Sequence, residues 1–340
     1  MIRIRNPRLE EWASSLHDDF FVKRGYKDTL GKYMEEDRWN ATQKEMLNYL
    51  YFKSREIVSG RPSQLAETIN YISGNFPSEQ LYNIQFNQNE KECQFKKALK
   101  RVFNYDYFIK QYDITEWGAY TLTTRLKVSV CPYCNRQFTT TYQSNDGRTR
   151  PQLDHFFDKA TYPYLAISFF NLIPSCYVCN ANLKGTRAFT LDSHLHPYEE
   201  EFDRYRTFTI KFDEGTDIDY VGIFEGNVKG FSIGFRDNPI IDKAEPIWRK
   251  IENNCNTFKL AELYNAHKDY ATDLLIKSRI YNEEQIKNLL ISFPDLFQNE
   301  SEVTRLVLGT LPGSELESND RVLSKFTQDI LMELRALSKY

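Results

Sequence analysis

The 340 residues carry 44 Lys+Arg against 47 Asp+Glu, a net charge of −3, with 41% hydrophobic and 27% charged side chains. That balance excludes bulk disorder and a protein that coats nucleic acid indiscriminately. No run approaches the roughly eighteen apolar residues of a membrane span.

The length allows two domains, or one core with a helical elaboration, and the 15% aromatic share supplies material for either. Met1-Ile2-Arg3-Ile4-Arg5 is basic but has no apolar stretch behind it, so the expectation is a cytoplasmic chain and not a secreted one. Residues 1–115 have helical periodicity, clearest from Trp39 to Val58 and from Glu92 to Phe108, with punctuation at Gly60-Arg-Pro62 and Gly74-Asn-Phe-Pro77. The second of these helices mixes Lys96, Lys97, Lys100 and Arg101 with Phe95, Phe103, Tyr105 and Tyr107. It reads first as a solvated face and second as a track for a nucleic-acid backbone.

Farther on, Asn135 to Tyr142 is rich in Thr and aromatics and predicts a strand. Asp146-Gly147 predicts a turn, and Thr149 to Phe157 a second extended stretch. Residues 176–184 are compatible with a helix, with Gly185 as its C-cap and Asn180 and Lys184 on one face. Alternation returns between 203 and 236, in Thr207-Phe-Thr-Ile-Lys-Phe212 and Gly230-Phe-Ser-Ile-Gly-Phe235. From 243 the pattern is helical again, at 257–279, 283–296 and 320–338, with a loop at 314–320. The expected class is α+β, mainly helical with a central strand-containing unit. Its expected divisions are 1–115, 116–200 and 201–340, and no repeats or low-complexity tracts are present.

Four of the six cysteines form two CxxC pairs, Cys131-Pro-Tyr-Cys134 and Cys176-Tyr-Val-Cys179, with 41 residues between them. In a chain expected in the cytoplasm, two such pairs read as zinc knuckles before they read as disulfides. Two residues between thiolates let one tight turn present both sulfurs to a tetrahedral ion. Four thiolates close the shell and leave no position for water, so this Zn²⁺ is expected to be structural. Cys93 and Cys255 read as small hydrophobes.

Asp154-His155 on a strand, Asn171 in the following loop, then Cys176-x-x-Cys179-Asn180-x-x-x-Lys184 opening a helix resembles an HNH endonuclease of the ββα-metal type, in its zinc-stapled branch. The resemblance covers about 131–187, and Asn occupies the third HNH position. It implies that His155 is the general base and that Asp154 and Asn180 hold one hydrated Mg²⁺ or Mn²⁺. It further implies that Asn171 ties the loop together and orients the base, and that Lys184 and Arg187 contact phosphate. These residue types suit phosphodiester hydrolysis, which needs a base for water, a Lewis acid, and help for the leaving oxygen. One departure is Asp158, which stands where the family usually has Pro; losing that ring is expected to loosen the loop and to place a carboxylate near the metal. His194 and His196 could suit a metal on an extended segment, but packing beside the motif is the preferred reading.

Similar HNH proteins accompany ABC-type or SMC-like ATPases in bacterial anti-phage systems of the Septu type and in some retrons. The resemblance therefore implies an effector that cuts DNA, or an RNA such as tRNA, beside an ATPase partner. The chain has no GxxxxGK[ST] of its own. The competing reading is a zinc-stabilised binding module with a decayed active site. Charge distribution favours a phosphate-bearing substrate: residues 91–190 carry 14 basic against 7 acidic side chains, whereas 191–340 carry 18 against 27.

Overall fold

A computed structural model describes residues 1–82, 93–202, 204–212, 230–309 and 321–337, with side chains to 334. The expected loop at 314–320 lies outside the described residues. The chain is mixed α+β, with helices predominating and, among the described residues, three small antiparallel strand pairs. It divides into two compact units.

The first unit comprises Arg3–Val128 and Thr139–Glu200, so the expected helical region and most of the expected central region fall in one body. Its helices are α1 (Leu9–Ser15), α2 (Tyr26–Glu35), α3 (Ala41–Phe52), α4 (Ser54–Ser59), α5 (Pro62–Asn75), α6 (Ser78–Leu81), α7 (Gln94–Val102), α8 (Tyr105–Lys110) and α9 (Ala119–Leu126). The periodic run from Trp39 to Val58 is thus two helices, the first started by a reciprocal capping box between Asn40 and Gln43. The run expected from Glu92 to Phe108, described from Cys93 onward, is also broken. Asn104 accepts from the Tyr107 amide and begins α8 anew. Buried aromatics hold this body together: Phe21 stacks on Phe103, and Phe20 meets Phe108 edge-on with centroids 5.4 Å apart.

Within the same unit β1 (Tyr142–Gln143) and β2 (Arg148–Thr149) form a short exposed hairpin around the expected Asp146-Gly147 turn, and β3 (Gln152–His155) pairs with β4 (Leu172–Ser175). In that register Asp154 lies opposite Ile173 and His155 opposite Leu172. A π-helical segment, Val178–Lys184, follows β4; its wide turn closes with the Gly185 amide donating to the Asn180 carbonyl. Gly185 has φ +54°, which explains a glycine at this exit.

The second unit comprises Met1–Ile2, Ser129–Phe138 and Glu201–Tyr340. Strands β5 (Arg206–Phe212) and β6 (Phe231–Asp237) are the alternating segments expected from the sequence. Their period of two gathers Phe208, Phe231 and Ile233 into a core with Tyr264, Leu274, Phe326 and Ile330. The helices here are α10 (Ile247–Thr257), α11 (Leu260–Tyr264), α12 (Lys268–Ile280), α13 (Glu283–Ser292), α14 (Glu300–Leu308) and α15 (Ser324–Leu337). Helix α15 is tied to β5 by Asp329, which accepts from the Phe208 amide at 2.8 Å and pairs with Lys325.

The expected strand from Asn135 to Tyr142 is largely replaced by a turn. Asn135 takes φ +51°, its amide donates to the Cys131 carbonyl, and only an isolated bridge joins Val130 to Phe138. The knuckle needs this reversal, and Asn tolerates the left-handed conformation better than most residues. Asn135 also serves α15: its backbone carbonyl accepts from Leu323, and its side-chain oxygen accepts from the Lys325 amide at 3.0 Å. It therefore caps that helix from a distant part of the chain. Replacing Asn135 by Ala should lower the unfolding free energy by about 1–2 kcal/mol, through loss of the cap and left-handed strain. Urea denaturation of Asn135→Ala, compared with Asn135→Gly, separates the two contributions, because Gly removes only the cap.

Candidate metal and active site

The sulfurs of Cys131, Cys134, Cys176 and Cys179 all lie within 4.8 Å of one another, and all four residues are buried. Tetrahedral coordination with Zn–S bonds near 2.3 Å places sulfurs about 3.8 Å apart, so the cluster is close to the size the ion needs. Each CxxC turn also supplies an amide to a sulfur: Arg136 N–H to Cys134 Sγ and Cys179 N–H to Cys176 Sγ, both at 3.4 Å. Such donors favour the thiolate form that a metal requires. The first turn is further held by the Tyr264 hydroxyl, which donates to the Cys134 carbonyl at 2.8 Å. The four-cysteine cluster can thus bind a metal such as zinc.

His155 ends β3 and is 8% exposed. Its Nε2 lies 2.9 Å from the Ala166 carbonyl, and the Tyr105 ring meets it edge-on at 4.5 Å. A carbonyl can only accept, so Nε2 carries the proton in this bond, and Nδ1 is left with the lone pair of a neutral imidazole. Burial pulls the His155 pKa down to about 3, with the positive charge of Lys159 adding to the effect, so the ring is neutral at ordinary pH.

Asn171 is fully buried and holds the loop that carries Ala166. Its side-chain oxygen accepts from the Phe157 amide at 2.7 Å, and its nitrogen donates to the Phe157 and Leu165 carbonyls, each at 3.0 Å. With both ends of its amide on the backbone, Asn171 fixes the segment between the two ends of the His155–Ala166 bond. Asp158 does related work. Its carboxylate accepts from the Ala160 and Thr161 amides and the Thr161 hydroxyl. Partial burial would raise its pKa, but these donors outweigh that and hold it below the usual carboxylate range. The loop that Asp158 was expected to loosen is therefore tied by an Asp-capped turn.

Asp154 and Lys184 form a buried ion pair, with Nζ 2.7 and 2.8 Å from the two carboxylate oxygens and both side chains under 5% exposed. The ammonium also donates to the His155 and Phe156 carbonyls and lies over the Phe189 ring. The expected phosphate contact is thus not what Lys184 makes here: its side chain points into the unit, because a buried carboxylate on β3 needs a counter-charge. Arg187, by contrast, is exposed, its guanidinium donating to the Leu183 carbonyl. Asn180 is half-buried and donates to Gln152 Oε1 at 2.8 Å. Gln152 was not singled out from the sequence; it lies two residues before Asp154, so both face the helical segment, where Asn180 and Lys184 are four apart. That pairing of an i, i+2 strand face with an i, i+4 helix face is the geometry joining β3 to residues 178–184.

The second histidine cluster packs. His194 stacks on Phe189 with centroids 3.6 Å apart and planes 9° apart, and burial lowers its pKa to about 4. His196 is buried against Phe156. Among the described residues, the four cysteines are the group of three or more potential ligands brought within metal-binding reach. No helix among the described residues is long and apolar enough to cross a membrane.

No protein-family model matches the chain, and no solved structure matches it. A 91-residue stretch is 33% identical to Protein ea31 of Escherichia phage lambda, covering 25% of this chain and 27% of that protein. The match thus spans about a quarter of the length of the curated relative.

Two outcomes test this geometry. Metal analysis of the purified chain should find one zinc, released when the thiols are alkylated. Lys184→Met should cost about 3–5 kcal/mol of stability by leaving Asp154 buried without its partner. Adding Asp154→Asn to that variant should restore part of the loss, as measured in a double-mutant cycle by urea denaturation.

Proposed function

We propose that the chain is a metal-dependent endonuclease of the HNH type, hydrolysing phosphodiester bonds in DNA or RNA. The observation that carries this reading is the β3–β4 hairpin followed by a helical segment. Together they bring Asp154 and Lys184 into one ion pair, Asn180 onto Gln152 of the same strand, and His155 to the strand's end with its proton pinned on Nε2 by the Ala166 carbonyl.

In this reading His155 Nδ1 takes the proton from the attacking water. Burial keeps that lone pair free, and a phosphate beside the ring would raise its low basicity by countering the positive charge that forms. The Ala166 carbonyl, held by Asn171 through Leu165, orients the ring; Asn171 is a positioning residue that need not touch substrate. Asp154 and Asn180 would hold Mg²⁺ or Mn²⁺, oxygen donors being suited to a hard cation, and Lys184 would set the orientation of the carboxylate. When bound, the ion supplies Lewis-acid stabilisation of the phosphate and the leaving oxygen. Arg187, exposed at the end of the helical segment, would meet a neighbouring phosphate. Zn²⁺ in the four-cysteine cluster would be structural, since four thiolates close its shell.

The wider role we propose is that of the effector in a bacterial anti-phage system, acting in the cytoplasm beside an ABC- or SMC-like ATPase. The absence of a phosphate-binding GxxxxGK[ST] motif and the acidic balance of residues 191–340 support a division of labour with such a partner. The second reading, a zinc-stabilised binding module, is favoured by the engagement of Lys184 and Asn180 with other side chains. Cleavage of plasmid, single-stranded DNA and RNA in Mg²⁺ or Mn²⁺ decides between them. His155→Ala should reduce cutting at least about a hundredfold. Unchanged cutting would remove the assignment from this site, and no cutting by the wild type, even with an ATPase partner, would leave the binding module.

A further inference from the structure

Beside His155 the first unit has a cavity of about 150 Å³, between the α7–α8 junction and the loop after β3. Lys100, Phe103, Tyr105, Asp106, Lys159 and Ala166 line it. Two of these lining residues touch the imidazole itself. Tyr105 is the ring set edge-on to His155, and Ala166 supplies the carbonyl that accepts from Nε2. Lys100, Asp106 and Lys159 are exposed and form the mouth, with the Lys159 ammonium 4.0 Å from the centre of the Tyr105 ring.

We infer that this cavity receives the base of one unpaired nucleotide adjoining the scissile phosphate, so that the substrate is single-stranded where it is cut. The inference rests on the nuclease reading for the position of the scissile phosphate, but the binding it describes is measurable without cleavage. A cavity of this volume accepts one six-membered aromatic ring. Beside its three charged side chains the lining consists of Phe103, Tyr105, Ala160, Pro163 and Ala166, an apolar and aromatic surface against which a base can pack. The mouth offers two ammonium groups for the flanking phosphates and one carboxylate that can accept from the ring N3–H of uracil or thymine or from the amino group of cytosine. A base inside a duplex would have to be unstacked and unpaired before it could enter. The size favours a pyrimidine over a purine.

Fluorescence anisotropy with labelled dT12 and U12, in Ca²⁺ to support binding without relying on cleavage, provides the test. Both single strands should bind about tenfold tighter than the dT12·dA12 duplex and than an abasic 12-mer. Tyr105→Leu should abolish the preference over the abasic strand, whereas Tyr105→Phe should retain it. Lys159→Gln should weaken all strands alike and reduce the salt dependence of binding. Circular dichroism of each variant checks that it folds; should Tyr105→Leu not fold, competition of wild-type binding by cytidine and uridine monophosphate against ribose 5-phosphate gives the same reading. Equal binding of duplex, abasic and normal strands would overturn the inference, as would competition by ribose phosphate equal to that by the nucleotides. The ratio of U12 to dT12 affinity tells whether RNA or DNA supplies the nucleotide. Strands that bind as expected but are never cut in Mg²⁺ or Mn²⁺ would keep the pocket and reject the nuclease. Cutting without base preference would do the reverse.

Discussion

One buried ammonium organises the candidate site. Lys184 reaches from the helical segment to both oxygens of Asp154 and to the carbonyls of His155 and Phe156. An ammonium has three protons, and here they are shared among four acceptors, all from residues 154–156 at the end of one strand. Taking these charges out of water is costly, and the pair is sustained only because nearly every valence is met. The requirement propagates outward. The strand must end where its carbonyls can turn toward the ammonium, the helical segment must bring Lys184 inward, and Asn180 then falls opposite Gln152. The backbone beyond is gripped by Asn171 and Asp158, so the imidazole stands on a frame with little slack.

Much of this was legible in the sequence where chemistry and spacing coincide. Two CxxC pairs define a ligand set independently of what surrounds them, and the cysteines do converge. Strands β5 and β6 were equally readable, because Phe208, Ile210 and Phe212 alternate against Phe231, Ile233 and Phe235 with one face buried. Gly185 announced the end of the helical segment through a conformation that glycine adopts without strain.

The rest depended on tertiary partners that no local pattern records. Thr and aromatic content suggested a strand after Cys134, but the need to reverse the chain around two thiolates overrode propensity and put Asn135 in the left-handed region. The resemblance made Lys184 a phosphate ligand, and only the buried position of Asp154 turns it inward. Gln152 gave no signal of its own; its role exists only through Asn180. Asp158 was expected to loosen a loop, yet its carboxylate gathers three donors that tie the turn. The basic and aromatic residues near 100 separate by burial: Lys100 and Arg101 are exposed, whereas Phe95 and Phe103 lie in the core.

The spacing of the cysteine pairs carries a consequence for the order in which the molecule is made. The 41 residues between Cys134 and Cys176 include β3, His155, Asn171 and the whole loop between them. At about 5–20 residues per second, a ribosome needs roughly 2–8 s to deliver that stretch. Throughout this interval the first knuckle has two thiolates and lacks the other two, so the metal shell cannot close. Lys184 emerges later still, so the carboxylate of Asp154 has no counter-ion until the second knuckle has been synthesised. Metal capture and charge neutralisation therefore become possible at nearly the same moment of synthesis. A chain interrupted before Cys176 would have neither.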